Sequence, residues 1–250
     1  MASNARVLCT TRNSIWELVL DNPGCRNALS LSLLDKLHQK LVAARDGRPR
    51  AVILTGAGDT FSAGADFRDL TGTIDDLAID NAIEEIVDCI RSMPAPVIAA
   101  IEGPCMGGAV DIALACDFLV ASEEAFFEVP ATRMGLLYNP RAVTRWRSRL
   151  SGLTLRRMLL LGERISATEA VGAGVVSHLV APGSSRKKSI ALAERVLLGT
   201  SNAVAASKGL LVALESGDTD LTRWEKTRLE ILASPERHEM VVRAKKAKEN

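Results

Sequence analysis

Aromatic residues are scarce in this 250-residue chain: three Trp, one Tyr and five Phe, 4% in all. So few flat side chains leave little for base stacking, which argues against a single-stranded nucleic-acid binder. Net charge is also nearly absent, at +1. No global field draws the chain to nucleic acid or to an anionic membrane, and any basic patch must be local. No apolar run approaches the length of a membrane span, and the polar N-terminal MASNARV lacks a signal-peptide core. The five cysteines are odd in number and never spaced as CxxC. They read as small apolar side chains in a reducing cytoplasm rather than as disulfides or metal ligands. His38, His178 and His238 are far apart, and His238-Glu239 has no second histidine at HExxH spacing, so no metal site is expected. There is no GxSxG.

Hydrophobic residues make up 47% and charged residues 24%, ordinary globular usage, so the core must be built from Ala, Val, Leu and Ile. The pattern predicts two strands within 7–21 joined by a turn at Arg12-Asn13-Ser14, then a turn cluster, DNPGCRNALS, ending in Ser30 as an N-cap. A helix over 31–44 follows, with Leu33, Leu34, Leu37, Leu41 and Val42 on one side. AVILT reads as a buried strand. Its following Gly56-Ala57-Gly58 lacks the third glycine of a dinucleotide fingerprint, Phe61 standing there instead. A helix over 75–92 (Leu77, Ile79, Ile83, Ile86, Val87, Ile90) is stopped by Pro94 and Pro96, before a strand at 97–101. Two strand-like pieces flank a turn at Glu123-Glu124, and 134–140 is a loop. Beyond Arg141 the chain is helical, except for a short strand within 174–180; helices are expected over 154–161, 166–172, 184–199, 201–214, 221–232 and after Pro235.

The most informative stretch is IEGPCMGGAVDIALACD, 101–117. Glycines at a strand-to-helix junction let backbone N–H groups approach a bound group closely, and a helix N-terminus favours negative charge. Asp111 lies three residues past Gly108, one turn along the helix. An anion-stabilising N–H beside a carboxylate suits enolate chemistry.

Five segments, NPGCRNALS, AVILTGAGDTFSAGADF, APVIAAIEGPCMGGAVDIALACDFLVAS, AFFEVPATRMGL and ISATEAVGAGVVSHLV, resemble the crotonase (enoyl-CoA hydratase/isomerase) family in order and spacing over nearly the whole chain. The resemblance implies an α/β fold, a crotonase-like ββα superhelix, with an acyl-CoA-binding core over 1–190 and a helical oligomerisation region over 191–250. It implies a homotrimer or dimer of trimers. The partner is an acyl-CoA thioester, with no separate cofactor because coenzyme A belongs to the substrate. It assigns the two N–H groups of an oxyanion hole to Ala65 and Gly108, adenine contacts to backbone near Ala63 and Asp66, and phosphate contacts to Arg26 and, more weakly, Arg68.

Hydratases of the family use two glutamates. Asp111 stands at the first position, one methylene shorter, and Ala131 at the second, where no proton can be carried. Glu128, three residues earlier in extended chain, faces the other way. That leaves Asp111 as a lone acid/base whose pKa desolvation should raise, against the helix dipole, as in double-bond isomerisation. Tyr138 and Asn139 are further catalytic candidates, similar to a pair in methylmalonyl-CoA decarboxylases, although those carry a histidine where Ala65 stands. Three readings follow: hydratase/isomerase-type enolate chemistry, decarboxylation of a malonyl-type thioester, and an acyl-CoA-binding protein without turnover.

Overall fold

The computed structural model describes residues 5–249. Strands β1 (Arg6–Arg12) and β2 (Ile15–Asp21) form an antiparallel hairpin, whose turn places Asn13 and Ser14 at positive φ. Helix α1 (Leu31–Asp46) starts where Ser30 accepts a hydrogen bond from the Leu33 N–H. It buries Leu33, Leu34, Leu37, Leu41 and Ala44, whereas Val42 is only half-buried. Strand β3 (Ala51–Gly56) leads, through a long loop and a 3-10 turn at Ile74–Asp76, to α2 (Leu77–Ser92). Leu77 is 50% exposed, because it opens the helix and falls off the stripe made by Ile79, Ile83, Ile86, Val87 and Ile90.

Strands β4 (Val97–Ile101) and β5 (Pro104–Met106) then lead into α3 (Gly108–Ala115), and β6 (Phe118–Ser122) and β7 (Phe126–Glu128) follow. After α4 (Pro140–Trp146) and α5 (Gly152–Leu161) come β8 (Ile165–Ser166), α6 (Ala167–Gly172) and β9 (His178–Val180). The expected strand over 174–180 is thus shortened to its last three residues, since Gly174 takes φ +75° and Ser177 only joins the edge through Leu119. Helices α7 (Ser185–Val196), α8 (Ser201–Glu215), α9 (Thr222–Leu232) and α10 (Pro235–Glu249) complete the chain.

The main sheet runs β1-β2-β3-β4-β6-β9, parallel from β2 onward, and a small sheet, β5-β7-β8, stands beside it. Both faces of the sheet's centre are covered, so β3 and β4 are buried and almost wholly apolar. Val52, Leu54, Val97, Ala99 and Ile101 face the core that α1, α2 and α3 share. Their alternates Ala51, Ile53, Ile98 and Ala100 meet Ala193 of α7 on the opposite face. Because α7 packs on β3, β4 and β6, residue 190 lies inside a core helix. Helices α8, α9 and α10 follow it. Lys208 anchors α8: its buried Nζ donates to the carbonyls of Ile90 (2.9 Å) and Ala95 (3.1 Å) and to Asp117 Oδ2 (2.7 Å). No single described helix is long and apolar enough to cross a membrane.

Helix α6 opens with a reciprocal cap, in which Ser166 Oγ accepts from the Glu169 N–H (3.2 Å) and Glu169 Oε2 accepts from the Ser166 N–H (3.0 Å). Ser166→Ala is expected to cost about 1 kcal/mol in urea unfolding, with unchanged thioester binding.

Candidate functional site

The site is built where adjacent parallel strands β3 and β4 end. The loop after β3 and the segment after β4 run alongside each other: Ser62 N–H donates to Pro104 O (3.1 Å) and Met106 N–H donates to Ser62 O (3.0 Å), a parallel bridge pairing Ser62 with Cys105. Two residues further on, Gly64 lies against Gly107, so Ala65 and Gly108 are the next residues on the two segments. The close approach is real: a Cβ on Gly64 would lie 2.9 Å from Met106 O and 3.6 Å from Gly107 Cα. Both glycines also have positive φ, +85° and +54°.

Ala65 is held on its far side by a second bridge. Leu29 N–H donates to Gly64 O (2.8 Å) and Asp66 N–H to Leu29 O (3.1 Å), so the peptide groups flanking Ala65 face Leu29 and its own N–H faces away. Gly108 is the first residue of α3, where an amide has no intrahelical acceptor. Among the described residues, neither the Ala65 nor the Gly108 N–H donates to a protein acceptor. Ile83 of α2 lies directly over Gly108, its Cδ1 2.4 Å from where a Cβ would stand.

Asp111 is 2% exposed and one turn into α3. It is not the lone carboxylate expected from the sequence. Arg145 Nη2 donates to its Oδ2 (2.8 Å) and Trp146 Nε1 to its Oδ1 (2.9 Å). Arg145 is shared: Nη1 and Nη2 also donate to Glu84 Oε2 (3.0 Å) and Oε1 (2.6 Å). Burial pushes Asp111 up to about 6; the Arg145 charge and the Trp146 hydrogen bond pull against it and the Glu84 charge adds to it. Tyr138 stacks at 4.8 Å on Trp146, and its hydroxyl donates to Gly107 O (3.3 Å). Burial raises this phenol well above its ordinary value, and the Asp111 and Asp80 charges add to that. Asn139 accepts from the Arg141 N–H as the cap of α4 and donates to Glu84 Oε1 (3.0 Å), so it braces the cluster.

Ala131 is buried, at 6% exposure. Glu128 is buried but bound by Arg133 and by Arg164 Nε (2.7 Å). Burial works to raise it, yet the two guanidiniums outweigh burial and hold it below its ordinary value. Glu123 and Glu124 are exposed.

Along the first loop, the Ala63 N–H is taken by Arg26 O (3.0 Å), while the Ala63 carbonyl accepts from no protein group among the described residues. Asp66 is occupied: its side chain accepts from the Arg68 N–H (3.0 Å), Nε (2.9 Å) and Nη2 (2.5 Å). Those Arg68 bonds lower Asp66 against the opposing effect of burial. Arg68 Nη2 also donates to Cys25 Sγ (3.1 Å). Arg26 is exposed, sits at φ +49°, and its guanidinium has no protein partner among the described residues. The structure therefore sets Gly64, next to Ala65, against Gly107, next to Gly108, with Tyr138 bonded to Gly107 and meeting Asp111 at Trp146, while Ala63 is bonded to Arg26.

Sequence reading missed Glu84, Arg145 and Trp146. One signal was present: Glu84 sits between buried Ile83 and Ile86 on an amphipathic helix, and a carboxylate there requires a cation.

Alternating strand and helix layers, with two loops meeting at the ends of β3 and β4, define the crotonase fold. The sequence model of the enoyl-CoA hydratase/isomerase family matches residues 10–243, and the chain belongs to that family. Among relatives, a Mycobacterium bovis protein named "Probable enoyl-CoA hydratase echA6" is 32% identical over 170 residues, covering 68% of this chain and 69% of that protein. The rat "Enoyl-CoA hydratase domain-containing protein 3, mitochondrial" is 30% identical over 207 residues, covering 80% and 69%. A crystal structure titled an enoyl-CoA hydratase/carnithine racemase from Magnetospirillum magneticum superposes with a TM-score of 0.88 at 26% identity, covering 97% of this chain and 92% of that one.

Proposed function

We propose that the chain is an acyl-CoA enzyme that draws a thioester carbonyl between the Ala65 and Gly108 N–H groups, stabilises the enolate formed there, and moves one proton with Asp111. The observation that supports this reading is the close approach of Gly64 to Gly107, beside the Ser62–Cys105 bridge, with the following amides, Ala65 and Gly108, having no protein acceptor among the described residues. Such donors are worth most where charge develops, about 3–4 kcal/mol each in the transition state. With Ala131 in place of a second carboxylate, shifting a double bond with one acid/base suits the site better than hydration. Arg26 would meet the coenzyme A phosphates, and the Ala63 carbonyl the adenine amino group. Arg68 and Asp66 would shape the loop beneath them. Exposed Leu198, Leu211, Leu229 and Leu232 on or beside the C-terminal helices support assembly as a homotrimer or dimer of trimers.

A second reading, thioester binding without turnover, is favoured by one feature: both Asp111 oxygens already accept protein hydrogen bonds. Assays with crotonyl-CoA, a 3-enoyl-CoA and methylmalonyl-CoA separate the readings. Conversion of the 3-enoyl-CoA, lost in Asp111→Asn, is the expected result. Hydration of crotonyl-CoA that survives Asp111→Asn removes Asp111 from its role. Carbon dioxide release from methylmalonyl-CoA alone shifts the assignment to decarboxylation, and tight binding with no turnover leaves the binding protein.

A further inference from the structure

We propose that Glu84 is a positioning residue: it fastens Arg145 independently of Asp111, so that Asp111 can take up and release a proton without unmooring the guanidinium. The inference rests on the role given above to Asp111, but its test needs no substrate.

Arg145 makes two bonds to Glu84, at 3.0 and 2.6 Å, and one to Asp111, at 2.8 Å. Its Nε is buried and has no hydrogen-bond partner among the described residues, so its hydrogen bonds to the two carboxylates run through its Nη edge. Glu84 is itself braced by Asn139 Nδ2 (3.0 Å) and approached by Arg141 Nη1 (3.8 Å). Were Asp111 the sole partner, neutralising it would strand a half-buried cation, and the site would resist protonation. With Glu84 holding the guanidinium, Asp111 competes for a charge already half-spent and stands beside a second anion. Both effects favour its neutral form. The other groups facing this cluster are Trp146 on α4, Arg149 just beyond it, Arg91 and Asp80 on α2, and Tyr138 in the loop before α4. Arg91 and Arg149 turn to Glu215, which leaves Arg145 as the cation bonded to Asp111.

The test is a carboxyl-carbon NMR titration of full-length protein labelled at aspartate, with the Asp111 signal assigned by its loss in Asp111→Asn. In the parent the midpoint is expected at about 6. Glu84→Gln keeps the shape but removes the anion, and the midpoint should fall by about one pH unit. Glu85→Gln, one residue along on the exposed side of α2, should leave it unmoved. Arg145→Lys keeps the charge but cannot hold both carboxylates, and the midpoint should rise; this variant decides the matter if Glu84→Gln does not fold. An unmoved midpoint in Glu84→Gln, an equal fall in Glu85→Gln, or an unmoved midpoint in Arg145→Lys overturns the proposal. Failure of the enolate reading would appear instead in the thioester assays, with these titrations intact.

Discussion

Asp111→Asn is expected to slow α-proton exchange of a bound acyl-CoA by about 10²–10⁴-fold, the usual contribution of a positioned acid/base, with thioester binding retained. The amide has nearly the same shape and can still accept from Trp146 or Arg145, but it cannot carry a proton. The parent rate should climb as pH rises through about 6, because proton abstraction needs the ionised carboxylate. The same residue leaves a mark on stability. Its folded pKa lies above the ordinary 3.8, so the folded chain binds this proton more tightly than the unfolded one. Its stabilising contribution is complete below pH 3.8 and is lost as pH rises through about 6. A rise of that size corresponds to about 3 kcal/mol. Asparagine is neutral throughout, so in urea unfolding Asp111→Asn should gain on the parent by about that amount between about pH 4 and about pH 8. A stability difference that does not vary with pH would show that Asp111 titrates at an ordinary value.

Gly64→Ala is expected to lower the exchange rate about 100-fold and stability by about 1–2 kcal/mol. Its φ of +85° is costly for alanine, and the new Cβ would stand 2.9 Å from Met106 O, forcing the two loops apart. That separation moves the Ala65 amide relative to the Gly108 amide. Gly58→Ala is the control: it lies in the same loop at φ +77°, but its Cβ would meet nothing within 4 Å. It should lose comparable stability and keep its exchange rate. Equal rate losses in both variants would mean that backbone strain, and not the spacing of the loops, limits the reaction.

Much of the architecture was legible because it rests on local signals. Ser30 announced a helix start by its capping chemistry. The AVILT run and its counterpart at 97–101 announced buried strands by being apolar on both faces. Gly107-Gly108 marked a strand-to-helix junction. The joint role proposed for Ala65 and Gly108 came from family likeness, since the approach of Gly64 to Gly107, 43 positions apart along the chain, leaves no periodic trace. The electrostatics of Asp111 were the least legible. Its neighbours Glu84 and Arg145 lie on α2 and α4, and only the fold makes one guanidinium serve both acids. Asn139 shows the same limit, since its work as a helix cap and a brace for Glu84 depends on where α4 docks.

The most direct test of the central claim is exchange of the C2 protons of butyryl-CoA in D2O, followed by proton NMR beside a calorimetric measure of binding. The paired amides predict exchange well above the buffer rate, reduced in Gly64→Ala and preserved in Gly58→Ala. Butyryl-CoA that binds but exchanges no faster than in buffer would contradict it.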